Sequence, residues 1–192
     1  MNNDPIVRFK KLLAQAEQLG IRPFNAAAFA TTGNDLRPTV RMLLLKDVDD
    51  RGLVFYTNLQ SLKASQLAEN PCASACFWWP QLHRQVRIEG RVESVGDHEA
   101  DEYFASRPRG SQIGAWASHQ STELASRDEL VGAVAVLTAK YADHVVPRPL
   151  HWSGYRLVPA RMEFWHEQPE RLHERELYTR HADGWKMTLL AP

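Results

Sequence analysis

Four short stretches of this sequence carry side chains suited to an anion. "RMLLLK" sets Arg41 and Lys46 at the two ends of an apolar run, and "YTNLQSLK" supplies Tyr56, Thr57, Ser61 and Lys63. "SRPRGSQIGAWASHQS", residues 106–121, holds Arg107 and Ser111 among glycines, glutamines and serines, and "RLHER" gives Arg171, His173 and Arg175. Lysine, hydroxyls and free backbone N–H groups where a strand turns into a helix are the donors a phosphate needs. If "RLHER" is a strand, its three cations share one face and repel unless an anion or acid lies opposite. Each stretch also has an ordinary reading. Strand-end charges mark the water boundary, hydroxyls at a helix start are caps, and a basic edge can pair with neighbours such as Glu174. His173 is a general acid or base, or only a hydrogen-bonding residue. Residues 106–121 show neither helical nor strand period and read as a surface built to hold something.

Other chemistries lack their residues. There is no G-x-S-x-G, H-E-x-x-H or G-x-x-x-x-G-K, so the common nucleophile, zinc and P-loop patterns are missing. "GDHEAD" and "HEQPE" lack metal-ligand spacing, and no metal is expected. Lysine plus arginine and aspartate plus glutamate balance at 23 each, which leaves no global basic field for nucleic acid. The six tryptophans are explained more cheaply by packing than by base stacking. No apolar run reaches the length of a membrane span or a signal peptide. Cys72 and Cys76 would share a face of one strand, where a normal disulfide cannot form. They read as buried reduced thiols, which fits a cytoplasmic protein. Local chemistry thus stops at a β-rich, phosphate-binding protein without a stated reaction.

The elements that must position these groups follow from periodicity. "DPIVRFKKLLAQAEQLG" has helical apolar spacing, with Asp4 as N-cap, Pro5 at the first helical position and Gly20 as a stop, giving a helix over about 4–20. Residues 25–58 hold three apolar runs parted by "GNDLRP" and "DVDDRG", which predicts a β-meander. "SLKASQLAENP" reads as a short helix, and "CASACFWW" with "QVRIEGRVESV" as a strand pair whose Val86, Ile88 and Val92 face a core. "GDHEADEYFASRP" predicts a helix capped by Asp97, and "STELASRDELVGAVAVLTAKYAD" the longest helical candidate after the first, capped by Ser121 or Thr122 with Glu123 or Glu129 in support. A proline-stiffened connector, a strand from "GYRLVPARMEFWHE" and a hairpin over about 171–192 about "HADG" complete the chain. Hydrophobic residues at 44% suffice for a core, and nothing reads as a linker or repeat, so residues 1–192 are expected to form one domain. The expected class is mainly β within an α+β setting: a β-barrel with peripheral helices.

Taken in order, "RMLLLK", "FYTN", "SRPRGSQIGAWASHQS", "EFW" and "RLHER" closely resemble the pyridoxine/pyridoxamine 5′-phosphate oxidase family, from about Asp4 to Pro192. The resemblance implies an FMN-binding split β-barrel and a homodimer with flavin at the subunit interface. It implies oxidation of pyridoxine or pyridoxamine 5′-phosphate to pyridoxal 5′-phosphate, with O2 giving H2O2. Carried over, the FMN contacts are Arg41, Met42, Leu43, Leu44, Leu45, Lys46, Tyr56, Thr57, Lys63, Gln85, Gln120, Ser121, Trp165 and Arg175. The substrate phosphate falls to Lys46, Tyr103, Arg107 and Ser111, while Arg171 and His173 lie against the pyridine ring, with Arg171 closing over C4′. Arg109 is outside this set and is expected to be structural. Leu62 stands where many relatives have an arginine, so one charge-assisted contact to the FMN phosphate is expected to be missing. Longer relatives carry an N-terminal arm over the site; this chain begins almost at its first helix, and lid closure by such an arm is not expected. The rival readings are a phenazine-biosynthesis oxidase of the same fold and a non-catalytic flavin or pyridoxal-phosphate carrier.

Overall fold

The computed structural model describes residues 4–192; the first three positions of the expected domain lie outside the described residues. Helix α1 (Pro5–Gln18) starts where Asp4 accepts the Ile6 N–H at 2.8 Å, and it buries Ile6, Phe9 and Ala16 against the sheet. The strands are β1 (Ala26–Thr32), β2 (Pro38–Leu44), β3 (Asp47–Val48), β4 (Leu53–Asn58), β5 (Cys72–Trp79), β6 (Arg84–Ser94), β7 (Trp152–His166), β8 (Glu174–His181) and β9 (Gly184–Leu190). Helices α2 (Leu62–Glu69), α3 (Asp97–Ser106), α4 (Arg109–Ala117) and α5 (Arg127–Lys140) lie between them. All pairings are antiparallel, in the order β2-β1-β5-β6-β7-β4-β3, with β8 and β9 branching from β7.

β7 is where the sheet divides. Its first half pairs with β4 and its second half with β8, while β6 follows it from Tyr155 to His166 on the other side. The break falls at a bulge opposite Glu89 and Gly90, where Pro159 cannot donate to the ladder. A Cβ at Gly90 would collide with the Val158 carbonyl, so the close approach requires glycine. The result is a curled half-barrel with helices at its rim. Its core joins Phe9, Phe29, Phe55, Phe77, Trp79, Ile88, Leu157 and Met162. A second cluster, built on Phe104, Ile113, Tyr141, Val146 and Trp152, lies under the helices.

Several expectations need correction. The meander is not continuous: β4 leaves β2 and pairs with β7 and β3. β4 is apolar on both faces, with Leu53, Val54 and Phe55 all buried, and so needs cover on both sides; β2 alternates and suits an edge. Residues 109–117 of the run without period form α4. Asp97 is not a cap but the first residue of α3, after Gly96, and it pairs with Arg148 at 2.8 Å. The cap of α5 is Ser126, whose hydroxyl accepts the Glu129 N–H, while Glu129 accepts from Ala125. Cys72 is exposed and Cys76 half-buried, because their shared face of β5 is the outer one. Arg171 lies in a 3-10 turn rather than a strand, so "RLHER" does not stack three cations on one face. Arg109 is structural: its guanidinium donates to the carbonyls of Tyr141, Ala142 and His144 at the end of α5. Among the described residues no helix is long and apolar enough to cross a membrane.

Candidate active site

The strand-to-helix turn after β4 buries a lysine without an acid. Lys63 is 7% exposed, and its ammonium donates to Gln120 Oε1 at 2.6 Å, Thr57 Oγ1 at 3.0 Å and Ser61 Oγ at 3.1 Å. Burial, reinforced by the positive charge of Arg41, lowers its pKa from 10.5 to about 8. Ser61, the N-cap of α2, spends its hydroxyl on the Asn58 carbonyl and on Lys63, while Ser121 accepts the Leu62 N–H from outside. Ser121 has φ 72, the left-handed turn that brings its hydroxyl to the helix start.

The second element is a cleft of about 460 Å³ whose walls include Lys46, Tyr103, Arg107 and Ser111. A neighbouring cleft of about 360 Å³ includes Thr57 and Gln120 and shares Leu43, Tyr56, Arg107, Ser111 and Trp152 with the first. An aromatic stack forms the common wall. The Tyr56 ring centre lies 4.1 Å from that of Tyr103 and 5.3 Å from that of Trp152, with the ring planes nearly parallel. The ring of Tyr56 rests on Gly154, where any Cβ would come within 2.7 Å of it. Burial first, then Glu99, pushes the Tyr56 phenol up to about 12, so it stays neutral. The Arg107 guanidinium sits 4.6 Å over Trp152. Its Nη1 is buried without a hydrogen-bond partner, and burial lowers its pKa. Lys63, which is buried, and Arg107, which is half-buried with its Nη1 enclosed, are thus cations held by neutral groups, and an anion supplies what each lacks.

The remaining candidates stand elsewhere. Gln85, Trp165 and Arg175 lie side by side across β6, β7 and β8. Trp165 packs 4.6 Å from His173, and Arg175 donates to Glu163 at 2.8 Å. Glu170 and Arg171 both have left-handed backbone, φ 56 and 63, which aims this turn at a local cost. His173 Nδ1 accepts the Gln168 N–H at 3.2 Å, which leaves Nε2 to carry the donor proton. Among the described residues no group of three or more His, Cys, Asp or Glu is placed to hold a metal.

Residues 13–141 match the model of the pyridoxamine 5′-phosphate oxidase family, and residues 152–192 match that of the pyridoxine 5′-phosphate oxidase C-terminal dimerisation region. The chain belongs to the pyridoxamine 5′-phosphate oxidase family. It is 54% identical to the pyridoxine/pyridoxamine 5′-phosphate oxidase of Myxococcus xanthus over 98% of this chain and 92% of that one. It is 50% identical to the enzyme of the same name from Burkholderia vietnamiensis, over 98% and 89%. Among solved structures it resembles PhzG from Burkholderia lata in complex with tetrahydrophenazine-1-carboxylic acid, with TM-score 0.94 and 36% identity over 98% of this chain and 93% of that one.

Within this oxidase-family chain the expected site residues fall into two groups. Thr57, Lys63, Gln120 and Ser121 meet at the start of α2, and Lys46, Tyr56, Tyr103, Arg107 and Ser111 meet in the adjoining clefts. Met42, Leu43 and Leu44 line the same clefts, whereas Leu45 is buried in the core behind them. Arg41 is mid-strand rather than at a strand end and turns inward to Thr31 and Thr39. Gln85, Trp165, Arg171, His173 and Arg175 form the second group. Among the described residues no hydrogen bond or ring contact joins the two groups. Sequence reasoning passed over Trp152, although the proline-stiffened connector "VPRPLHW" delivers it to the centre of the site.

Proposed function

We propose that this chain is an FMN-dependent oxidase of pyridoxine and pyridoxamine 5′-phosphates. The observation that carries the reading is the single cleft lined by Lys46, Tyr103, Arg107 and Ser111, with a buried guanidinium nitrogen that has no partner. That donor set suits a dianionic phosphate. A phenazine oxidase shares the architecture at 36% identity, but the relatives at 54% and 50% are B6-phosphate oxidases, and the phosphate cleft favours the same substrate class. A bare carrier would have no use for the strained turn that presents Arg171 and His173.

The residues at the start of α2 fit a flavin phosphate. Lys63 and Arg41 are cations whose pKa values are lowered with no carboxylate contributing, and the groups around them are neutral oxygens. Thr57, Gln120 and Ser121 would complete that end, and Leu43 of β2, which lines both clefts, would contact the bound flavin. FMN held there would supply the two-electron redox chemistry by which C4′ is oxidised and O2 reduced to H2O2. Lys46, Tyr103, Arg107 and Ser111 hold the substrate phosphate, and this remote binding energy orients C4′. Arg171 closes over that carbon, and His173 offers its Nε2 proton to the pyridine substituents. With the alcohol, one O2 gives pyridoxal phosphate and H2O2; with the amine, one water is also consumed and ammonia leaves.

The second group of residues belongs, in this reading, to the site of another copy. The family's dimerisation region covers residues 152–192, which contain Trp165, Arg171, His173 and Arg175. The outer sheet face exposes apolar side chains that a second copy would cover: Val40 at 68%, Met42 at 63% and Trp78 at 47%. Residues 4–192 then act as one folded unit, and the unpaired Cys72 and Cys76 suit the cytoplasm. Subunit complementation tests this. Assayed at substrate well below KM, where kcat/KM governs the rate, Arg107→Ala and Arg171→Ala are each expected to be nearly inactive alone. Unfolded and refolded together, they should regain about a quarter of wild-type activity, because half of the chains pair as heterodimers with one intact site each. Recovery of none, with heterodimers present, would show that each chain builds its own site.

A further inference from the structure

Arg41 is held by an arrangement that the oxidase reading does not use. Its guanidinium donates to Thr31 Oγ1 at 2.6 Å, to Thr39 Oγ1, and to the Phe29 carbonyl at 3.2 Å. Both threonine hydroxyls in turn donate to one atom, Gln66 Oε1, each at 2.7 Å. On the Arg41 side the directions are forced. A guanidinium has no acceptor, so each hydroxyl must turn its proton away from Arg41 and a lone pair toward it. Gln66 Oε1 receives both protons at short range; with the amide turned round, Nε2 would occupy the second lone pair of each hydroxyl and leave the two protons without this acceptor. Gln66 and Thr31 are buried, at 6% and 2% exposure, which makes a mismatched proton costly.

Gln66 is also three residues after Lys63 on α2, and the two share that helix's buried face. One face of one helix therefore carries the flavin-phosphate lysine and the anchor of the second cation. Leu62 makes the second cation count for more, since no arginine precedes Lys63.

We infer that Gln66, Thr31 and Thr39 are positioning residues for phosphate selection: they fix the Arg41 guanidinium relative to Lys63, so that the protein prefers a flavin with a 5′-phosphate to one without. The inference rests on the proposed FMN site. It is tested by fluorescence titration of the flavin-stripped full chain with FMN and, separately, with riboflavin. Gln66→Met removes the acceptor at similar size, and Thr39→Val removes one hydroxyl from the half-buried edge strand, should the helix variant fold poorly. Each is expected to weaken FMN about tenfold and riboflavin less than about twofold, while Thr39→Ser, which keeps the hydroxyl, stays near wild type. Equal weakening of both flavins would mean a merely structural role and overturn the inference, as would unchanged FMN affinity or a serine variant that behaves like valine. Wild-type protein without preference for FMN would instead remove the phosphate role of Lys63 and Arg41 on which the inference stands.

Discussion

Replacing Lys63 with methionine is expected to stabilise the flavin-free protein and to remove most of its FMN affinity. The ammonium is buried among Thr57, Ser61 and Gln120 with no acid to compensate it, and its pKa falls from 10.5 to about 8. At neutral pH the folded chain therefore carries a charged group in a place that disfavours charge, a penalty of about 3 kcal/mol. Methionine keeps the apolar stem but leaves the Thr57 and Ser61 hydroxyl oxygens without a donor, and Gln120 Oε1 with Thr57 alone, so the net gain is on the order of 1 kcal/mol, or about 2–4 °C in Tm. FMN affinity should fall about a hundredfold, since a desolvated phosphate loses its charge-assisted partner. The pH dependence has a definite sign. The folded pKa lies below the unfolded one, so the penalty is full below about pH 8, declines as pH rises, and is gone above 10.5. On the proposed role of Lys63 it is the protonated amine that binds FMN, so flavin affinity should hold up to about pH 8 and decline above it. Calorimetry and flavin titration across that range, on wild type and Lys63→Met, check both; a less stable variant that still holds FMN would contradict the account.

Replacing Arg107 with methionine is expected to raise KM for pyridoxine 5′-phosphate about a hundredfold, with kcat at saturation within about threefold of wild type. The guanidinium is seated on the face of Trp152 rather than on a carboxylate, and its Nη1 is buried without a partner. An acid at this position would neutralise the charge and compete with the substrate phosphate. An aromatic face holds the cation in place and leaves its N–H groups free. In the proposed site this contact is to the substrate phosphate and not to the reacting carbon, so losing it should cost ground state and transition state alike. Steady-state kinetics separate the two parameters. An equal fall in kcat and kcat/KM would place Arg107 at the chemistry instead.

Where sequence pattern succeeded, local physics decided the structure. Asp4 and Pro5 fix the start of α1, and the alternation of Val86, Ile88 and Val92 fixes the inward face of β6. The α4 segment was illegible because its helix depends on distant partners. Gly110, Ser111 and Gly114 are weak helix formers, and the segment is tied down by Gln112 on the Phe104 carbonyl, Trp116 on that of Pro147 and Arg109 on the end of α5. The family motifs named Arg107 and Lys63 by type and order. They did not name Trp152 or Gln66, whose roles come from contacts 45 residues from Arg107 and 35 from Thr31 along the chain. Nor could any motif show that the site residues divide into two groups, which follows from the way β7 splits the sheet.

The central claim is best tested by aerobic turnover of the purified protein with excess FMN, supplied separately with pyridoxine 5′-phosphate and pyridoxamine 5′-phosphate. Pyridoxal 5′-phosphate and H2O2 would be measured together. The account predicts that they form in equal amounts, with ammonia released from the amine alone. Protein that binds FMN yet yields neither product from either substrate would contradict it.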